Sequence, residues 1–160
     1  MSSCVFPGSF DPVTRGHMDL IRRAAVIFDQ VTVTVMINIH KRGVIAPDKR
    51  VELLKKACAG LKNVRVEIWD GLLADYMRKS GERCLVRGVR GLTEFDVETA
   101  AAAANRMLLP GLETLFIPAS ESLSCVSSSA VREVAAFGGE IISFVPEEVA
   151  EEIAALLTNK

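Results

Sequence analysis

Short, apolar, β-branched runs recur along this chain, and a segment of helical periodicity follows each of them. The runs are Cys4-Val5-Phe6, residues 31–37, the alternating Val64, Val66 and Ile68, Cys84-Leu85-Val86, and residues 114–117. Residues 16–29 place Met18, Ile21, Ala25 and Phe28 on one helical face. A second helix is expected to open at Pro47, with Asp48 in its first turn, turn Val51, Leu54 and Ala57 inward, and end at Gly60. Further helices are expected over residues 72–80, closed by Gly81, over 93–109, stopped by Pro110, from about 128 to 137, ended by Gly138-Gly139, and over 147–157. Five buried strands alternating with helices predict an α/β fold, a parallel sheet with helices on both faces. Right-handed crossovers then gather the C-terminal strand ends on one edge. Ligands bind there, near the point where strand order reverses.

The length of 160 residues suits a single domain over 1–160, with no linker, tail or repeat. Hydrophobic residues at 49% and charged residues at 24% exclude a disordered chain. A net charge of -1 argues against nucleic acid as a partner. Cys4, Cys58, Cys84 and Cys125 form no CxxC pair and no zinc-like spacing, so buried, reduced thiols are expected. No signal-peptide pattern or membrane-length apolar run is visible, which makes a cytoplasmic location the expectation and a membrane partner none. The run Ala100 to Ala104 reads as close helix packing, because alanine loses no side-chain entropy in a helix.

Chemistry-bearing residues cluster just after the strands. The first is followed by Pro7-Gly8-Ser9-Phe10-Asp11-Pro12-Val13-Thr14-Arg15-Gly16-His17, and the second by His40-Lys41-Arg42. Arg87-Gly88-Val89-Arg90-Gly91 follows the fourth, and a serine-rich turn leading to Arg132 follows the fifth. Each segment suits a polyphosphate. Gly8 permits close backbone approach, and Ser9 offers a hydroxyl. Gly16-His17 sits at a helix start, where free N–H groups and the dipole favour anions. From there His17 can donate to a phosphoryl oxygen as charge builds. Lys41, Arg87 and Arg90 supply positive charge, and Ser127-Ser128-Ser129 precede another helix. No GxGxxG follows the first strand and no GxxxxGK[ST] occurs, so the phosphate grip is of neither the dinucleotide nor the P-loop kind. Asp11 is read as a brace for its loop rather than a metal ligand, and no metal site is assigned. One serine of the triplet is expected to cap a helix.

Gly8-Ser9-Phe10-Asp11-Pro12 with Thr14-Arg15-Gly16-His17 resembles the [T/H]xGH signature of the nucleotidyltransferase superfamily, and Val126-Ser127-Ser128-Ser129-Ala130-Val131-Arg132 resembles its ISSSxx[KR] signature. Together with Arg87-Gly88-Val89-Arg90 and Glu98, the whole chain resembles the bacterial phosphopantetheine adenylyltransferase family. The resemblance implies a Rossmann-like domain with strand order 3-2-1-4-5. It implies transfer of AMP from ATP, with Mg2+, to 4′-phosphopantetheine, giving dephospho-coenzyme A and pyrophosphate. It also implies a homohexamer inhibited by coenzyme A. Carried over residue by residue, Ser9, Phe10, His17, Gly88, Val89, Arg90, Glu98 and the segment Leu123-Ser124-Cys125-Val126-Ser127-Ser128-Ser129 contact ATP. Ser9, Lys41, Leu73 and Arg87 serve the phosphopantetheine side, and His17, Lys41 and Arg90 are the catalytic set. The chain departs from the family pattern with Ser9 for threonine, Arg15 for asparagine, Leu123 for an aromatic residue and Phe6 for tyrosine. Nucleotidyl transfer to another phosphate, a nucleotide-binding module without chemistry, and an RNA-binding domain are the rival readings.

Overall fold

The structure, a computed structural model, describes residues 2–37 and 43–158. Its elements run β1 (Ser3–Gly8), α1 (Arg15–Ile27), β2 (Gln30–Ile37), α2 (Pro47–Ala57), β3 (Val64–Asp70), α3 (Leu73–Ser80), β4 (Cys84–Val89), α4 (Leu92–Leu108), β5 (Glu113–Pro118), α5 (Ser128–Ala136) and α6 (Ala150–Thr158). The strands form one sheet in the order β3-β2-β1-β4-β5, and every neighbouring pair is parallel. The chain lays β2 and β3 on one side of β1, then returns to place β4 on the other. This reversal lies between β1 and β4. There the register is set at Val5 opposite Leu85, whereas β1 and β2 stay paired from Ser3–Gln30 to Gly8–Val35. A crevice at such a reversal is where α/β sheets bind ligands.

Strand alternation divides the core between the two faces. Cys4, Phe6, Val31, Val33, Val35 and Val86 pack with Ile21 and Ala24 of α1, Leu53 and Leu54 of α2, Val131 of α5 and Ile153 of α6. Val5 and Leu85 face the other way, against Ala74, Tyr76 and Met77 of α3 and Leu109 and Leu112. Helix ends follow local chemistry. Thr14 caps α1 by accepting the His17 N–H, Pro47 opens α2 at its first position, and Gly81 closes α3 with φ 78°, a conformation that glycine adopts freely.

Several expectations need correction. Helix α4 has no buried residue, so the alanine run is not closely packed among the described residues. Sequence pattern reports that a surface wants covering but not whether the same chain covers it. Ile68, on the apolar side of the alternation, is 39% exposed, and β3 is an edge strand of the sheet, with a neighbour on one side. Cys4 and Cys58 are buried, but Cys84 is half-buried and Cys125 exposed on the loop before α5. The final helical stretch begins as a 3-10 turn over Glu147–Val149 before α6.

Candidate active site

A cavity of about 730 Å³ opens at the C-terminal edge of the sheet, over the β1–β4 reversal. Its first wall is the loop from β1 to α1. Phe10 has φ 46° and folds its ring back beneath Gly8, where an added Cβ would lie 2.9 Å from the ring. Gly8 is therefore required by Phe10, a reason different from close approach of a ligand. The ring is 1% exposed and meets His17 edge-on, at 4.9 Å between centroids. Asp11 is buried, and its carboxylate accepts the N–H groups of Val44 and Ile45, both at 2.8 Å. Buried Arg50 lies 3.6 Å from Asp11 and donates to the carbonyls of Ile45 and Ser9. Asp11 thus braces two loops.

The same wall decides the protonation of His17. The Thr14 backbone N–H donates to Nδ1 of His17 at 3.1 Å. A backbone N–H can only donate, so Nδ1 is the bare nitrogen and the ring proton sits on Nε2. Burial, reinforced by the charges of Arg90 and Arg87, pushes the pKa down from 6.5 to about 4. At neutral pH the ring lining the cavity is therefore uncharged, with its single donor opposite the Thr14 contact.

The opposite wall is β4 with the first turns of α4. Arg87 donates through Nε and Nη2 to Glu98, at 2.8 and 2.6 Å, and through Nη1 to the carbonyl of Pro7. Arg90 donates through Nε and Nη2 to Glu94, which also accepts the Arg90 backbone N–H at 2.7 Å. Between them, Gly88 leaves room for α1, since a Cβ there would lie 2.2 Å from Leu20 Cδ1.

The third wall is the serine segment. Ser127 is the N-cap of α5 and accepts the Ala130 N–H at 3.0 Å, so it is the capping serine. Ser128 donates to the Pro12 carbonyl, and Ser129 accepts from Arg132, which also donates to the Asp11 carbonyl. The Ser128 hydroxyl and the Arg132 guanidinium tie α5 to the first wall. What the helix start offers an anion is the N–H groups of Ser128 and Ser129, since Ser127 takes that of Ala130.

Ser9, His17, Leu73, Arg87, Gly88, Arg90, Glu98, Leu123 and Val126 to Ser129 line this one cavity. Phe10 does not, because its side chain is core. Neither do Val89, at the end of β4, nor Ser124 and Cys125, on the loop before α5. Lys41, with His40 and Arg42, lies outside the described residues. The residues that pattern alone missed are Glu94, Arg50 and Asn105 at the cavity, and the Thr14 amide behind His17. A glutamate three residues into a helix signals a cap, so Glu94 had a readable clue. Among the described residues no group of three or more His, Cys, Asp or Glu could hold a metal ion. The carboxylates nearest the cavity are occupied by N–H groups or arginines. Among the described residues the protein presents no cage of carboxylates for a magnesium ion there. No helix is long and apolar enough to cross a membrane among the same residues.

The family model for cytidylyltransferase-like proteins matches residues 5–134. A phosphopantetheine adenylyltransferase of Heliobacterium modesticaldum is 45% identical over 154 residues, covering 96% of this chain and 92% of the relative. One from Clostridium perfringens is 46% identical over 155 residues, covering 97% and 94%. Among solved structures, a bifunctional NMN adenylyltransferase/ADP ribose pyrophosphatase from Francisella tularensis superposes with a TM-score of 0.75 at 13% identity. It covers the whole of this chain and 51% of its own, and at that identity the likeness concerns the fold. With relatives of that identity along nearly its entire length, this chain belongs to the phosphopantetheine adenylyltransferase family of nucleotidyltransferase enzymes.

Proposed function

We propose that the chain transfers AMP from ATP to 4′-phosphopantetheine, giving dephospho-coenzyme A and pyrophosphate by one in-line displacement. The observation that carries this reading is a neutral, backbone-oriented His17 sharing one cavity with Arg87 and Arg90. An oxygen of the pantetheine phosphate attacks the α-phosphorus of ATP. The bond from that phosphorus to the bridging oxygen breaks, and its electron pair leaves with pyrophosphate. The nucleophile is already an anion, so no general base is needed. The obstacles are repulsion and alignment, which positive charge and a rigid cleft relieve. His17 Nε2–H donates to a non-bridging oxygen of the α-phosphate as charge grows there. Arg87 receives the pantetheine phosphate and so must exchange Glu98 for it. Arg90 and the α5 start, with Ser9, Glu98, Leu123 and Val126 to Ser129, receive ATP, and Lys41 and Leu73 complete the pantetheine side.

Magnesium arrives on the triphosphate. Coenzyme A, which carries both halves of the product, competes for the cavity. The enzyme works in the cytoplasm as a homohexamer. The exposed Leu92, Val97 and Met107 on α4, at 83%, 65% and 85%, support coverage by other copies. The deciding experiment measures pyrophosphate release from ATP, magnesium and 4′-phosphopantetheine, omitting each component in turn. Release is expected only from the complete mixture. Release with nicotinamide mononucleotide and none with phosphopantetheine overturns the reading.

A further inference from the structure

Arg87 and Arg90 are held by their glutamates in different ways. Glu98 and the Pro7 carbonyl together engage Nε, Nη2 and Nη1 of Arg87. Glu94 engages Nε and Nη2 of Arg90, while Nη1 has no partner among the described residues. A guanidinium gripped along its Nε side still presents its opposite edge for a bidentate phosphate contact. Arg90 can therefore take a phosphate without giving up its carboxylate.

Glu94 is built for that grip. It stands in the first turn of α4, whose N-cap, Gly91, has no side chain to cap with. Its Oε2 accepts the Arg90 backbone N–H at 2.7 Å while both oxygens reach the guanidinium. One carboxylate thus holds the backbone and the head group of the same arginine. Long side chains lose rotamer freedom when a ligand orders them, and Glu94 removes that cost before ATP arrives.

We propose that Glu94 is a positioning residue for adenylyl transfer, holding Arg90 by one edge so that the other meets the triphosphate. The proposal rests on the adenylyltransferase reading given above. Its structural rival is a helix cap, which would stabilise α4 without acting through Arg90.

A double-mutant cycle separates the two. Wild type, Glu94→Gln, Arg90→Gln and the double variant are compared by ATP affinity from calorimetry, by kcat and KM for both substrates, and by melting temperature. Glu94→Gln is expected to lower kcat/KM for ATP by about 10-fold, the scale of one charge-assisted contact, with KM for phosphopantetheine unchanged. In the Arg90→Gln background the same change is expected to have no further effect, and Glu94→Asp is expected to restore part of the loss. An equal loss in both backgrounds, a fall in melting temperature without a kinetic change, or tighter ATP binding in Glu94→Gln overturns the proposal. A wild type that binds ATP yet releases no pyrophosphate with phosphopantetheine overturns the parent reading instead, and the calorimetric cycle then still reports whether Glu94 acts through Arg90.

Discussion

The two walls of the cavity are held in opposite ways. On the β1–α1 side, Phe10, Asp11, Val13 and Thr14 are buried, and backbone amides do the holding: Thr14 on His17, Val44 and Ile45 on Asp11. On the β4–α4 side no helix residue is buried, and side-chain ion pairs do the holding. A backbone contact inside a packed loop survives ligand binding. The Arg87–Glu98 pair at the rim is an interaction that a phosphate can replace, whereas Arg90 keeps Glu94 on one edge and offers the other. The first wall is suited to a fixed donor and the second, at Arg87, to trading partners as anions enter and leave. Rigid placement matters for a hydrogen bond that strengthens only in the transition state, whereas exchange matters for binding and release.

Breaking the first wall is expected to cost most. Asp11→Ala leaves Arg50 buried without its carboxylate and two N–H groups without an acceptor. A loss of about 3–5 kcal/mol is expected from chemical denaturation, as for one partner removed from a buried pair. A loss under about 1 kcal/mol erases the contrast between the walls.

Next comes His17→Ala. Turnover should fall at least ~100-fold while ATP affinity changes far less, measured by steady-state kinetics beside calorimetry. Equal losses in the two would make His17 a binding residue like those opposite.

The depressed pKa sharpens the comparison by titration. The unfolded chain takes up a proton near pH 6.5 but folded His17 only near 4. Between those values the unfolded state binds more protons, so the His17 contribution is present above pH 6.5 and is lost as pH falls toward 4. The slope is at most ~1.4 kcal/mol per pH unit. His17→Gln, which cannot titrate, should flatten stability across that window, and an unchanged profile would place the ring in water.

Smallest is Glu98→Gln. Its pair with Arg87 is partly exposed, at 16% and 32%, so stability should shift by less than ~1 kcal/mol. The KM for phosphopantetheine should change instead, since Arg87 no longer exchanges one anion for another. A large drop in melting temperature with KM intact would make this pair structural.

The fold was largely legible because apolar runs 31–37 and 84–86 can only be interior strands, and their alternation with helices leaves few topologies. The site was legible in part. His17, Arg90 and Ser127 to Ser129 follow strands and could be placed at the sheet edge from position alone, whereas Arg87, read as following the fourth strand, lies within β4 because that strand runs on to Val89. Phe10 could not, because a side chain beside a ligand loop and one folded under it look alike in a sequence. Nor could α4, whose apolar residues Leu92, Val97 and Met107 read like any amphipathic helix yet stay largely exposed among the described residues.

Local order and residue type determined the strand and helix inventory, the caps at Thr14 and Ser127, and which groups can bind phosphate. Tertiary structure alone decided the depressed pKa of His17, the partners of Arg87 and which wall is rigid, whereas the His17 tautomer and the Arg90–Glu94 pair are set within three and four residues. The reason is physical: propensity and periodicity act over a few neighbouring residues, whereas protonation and ion pairing depend on groups that only folding brings together, such as Arg87 and the Pro7 carbonyl from a different strand.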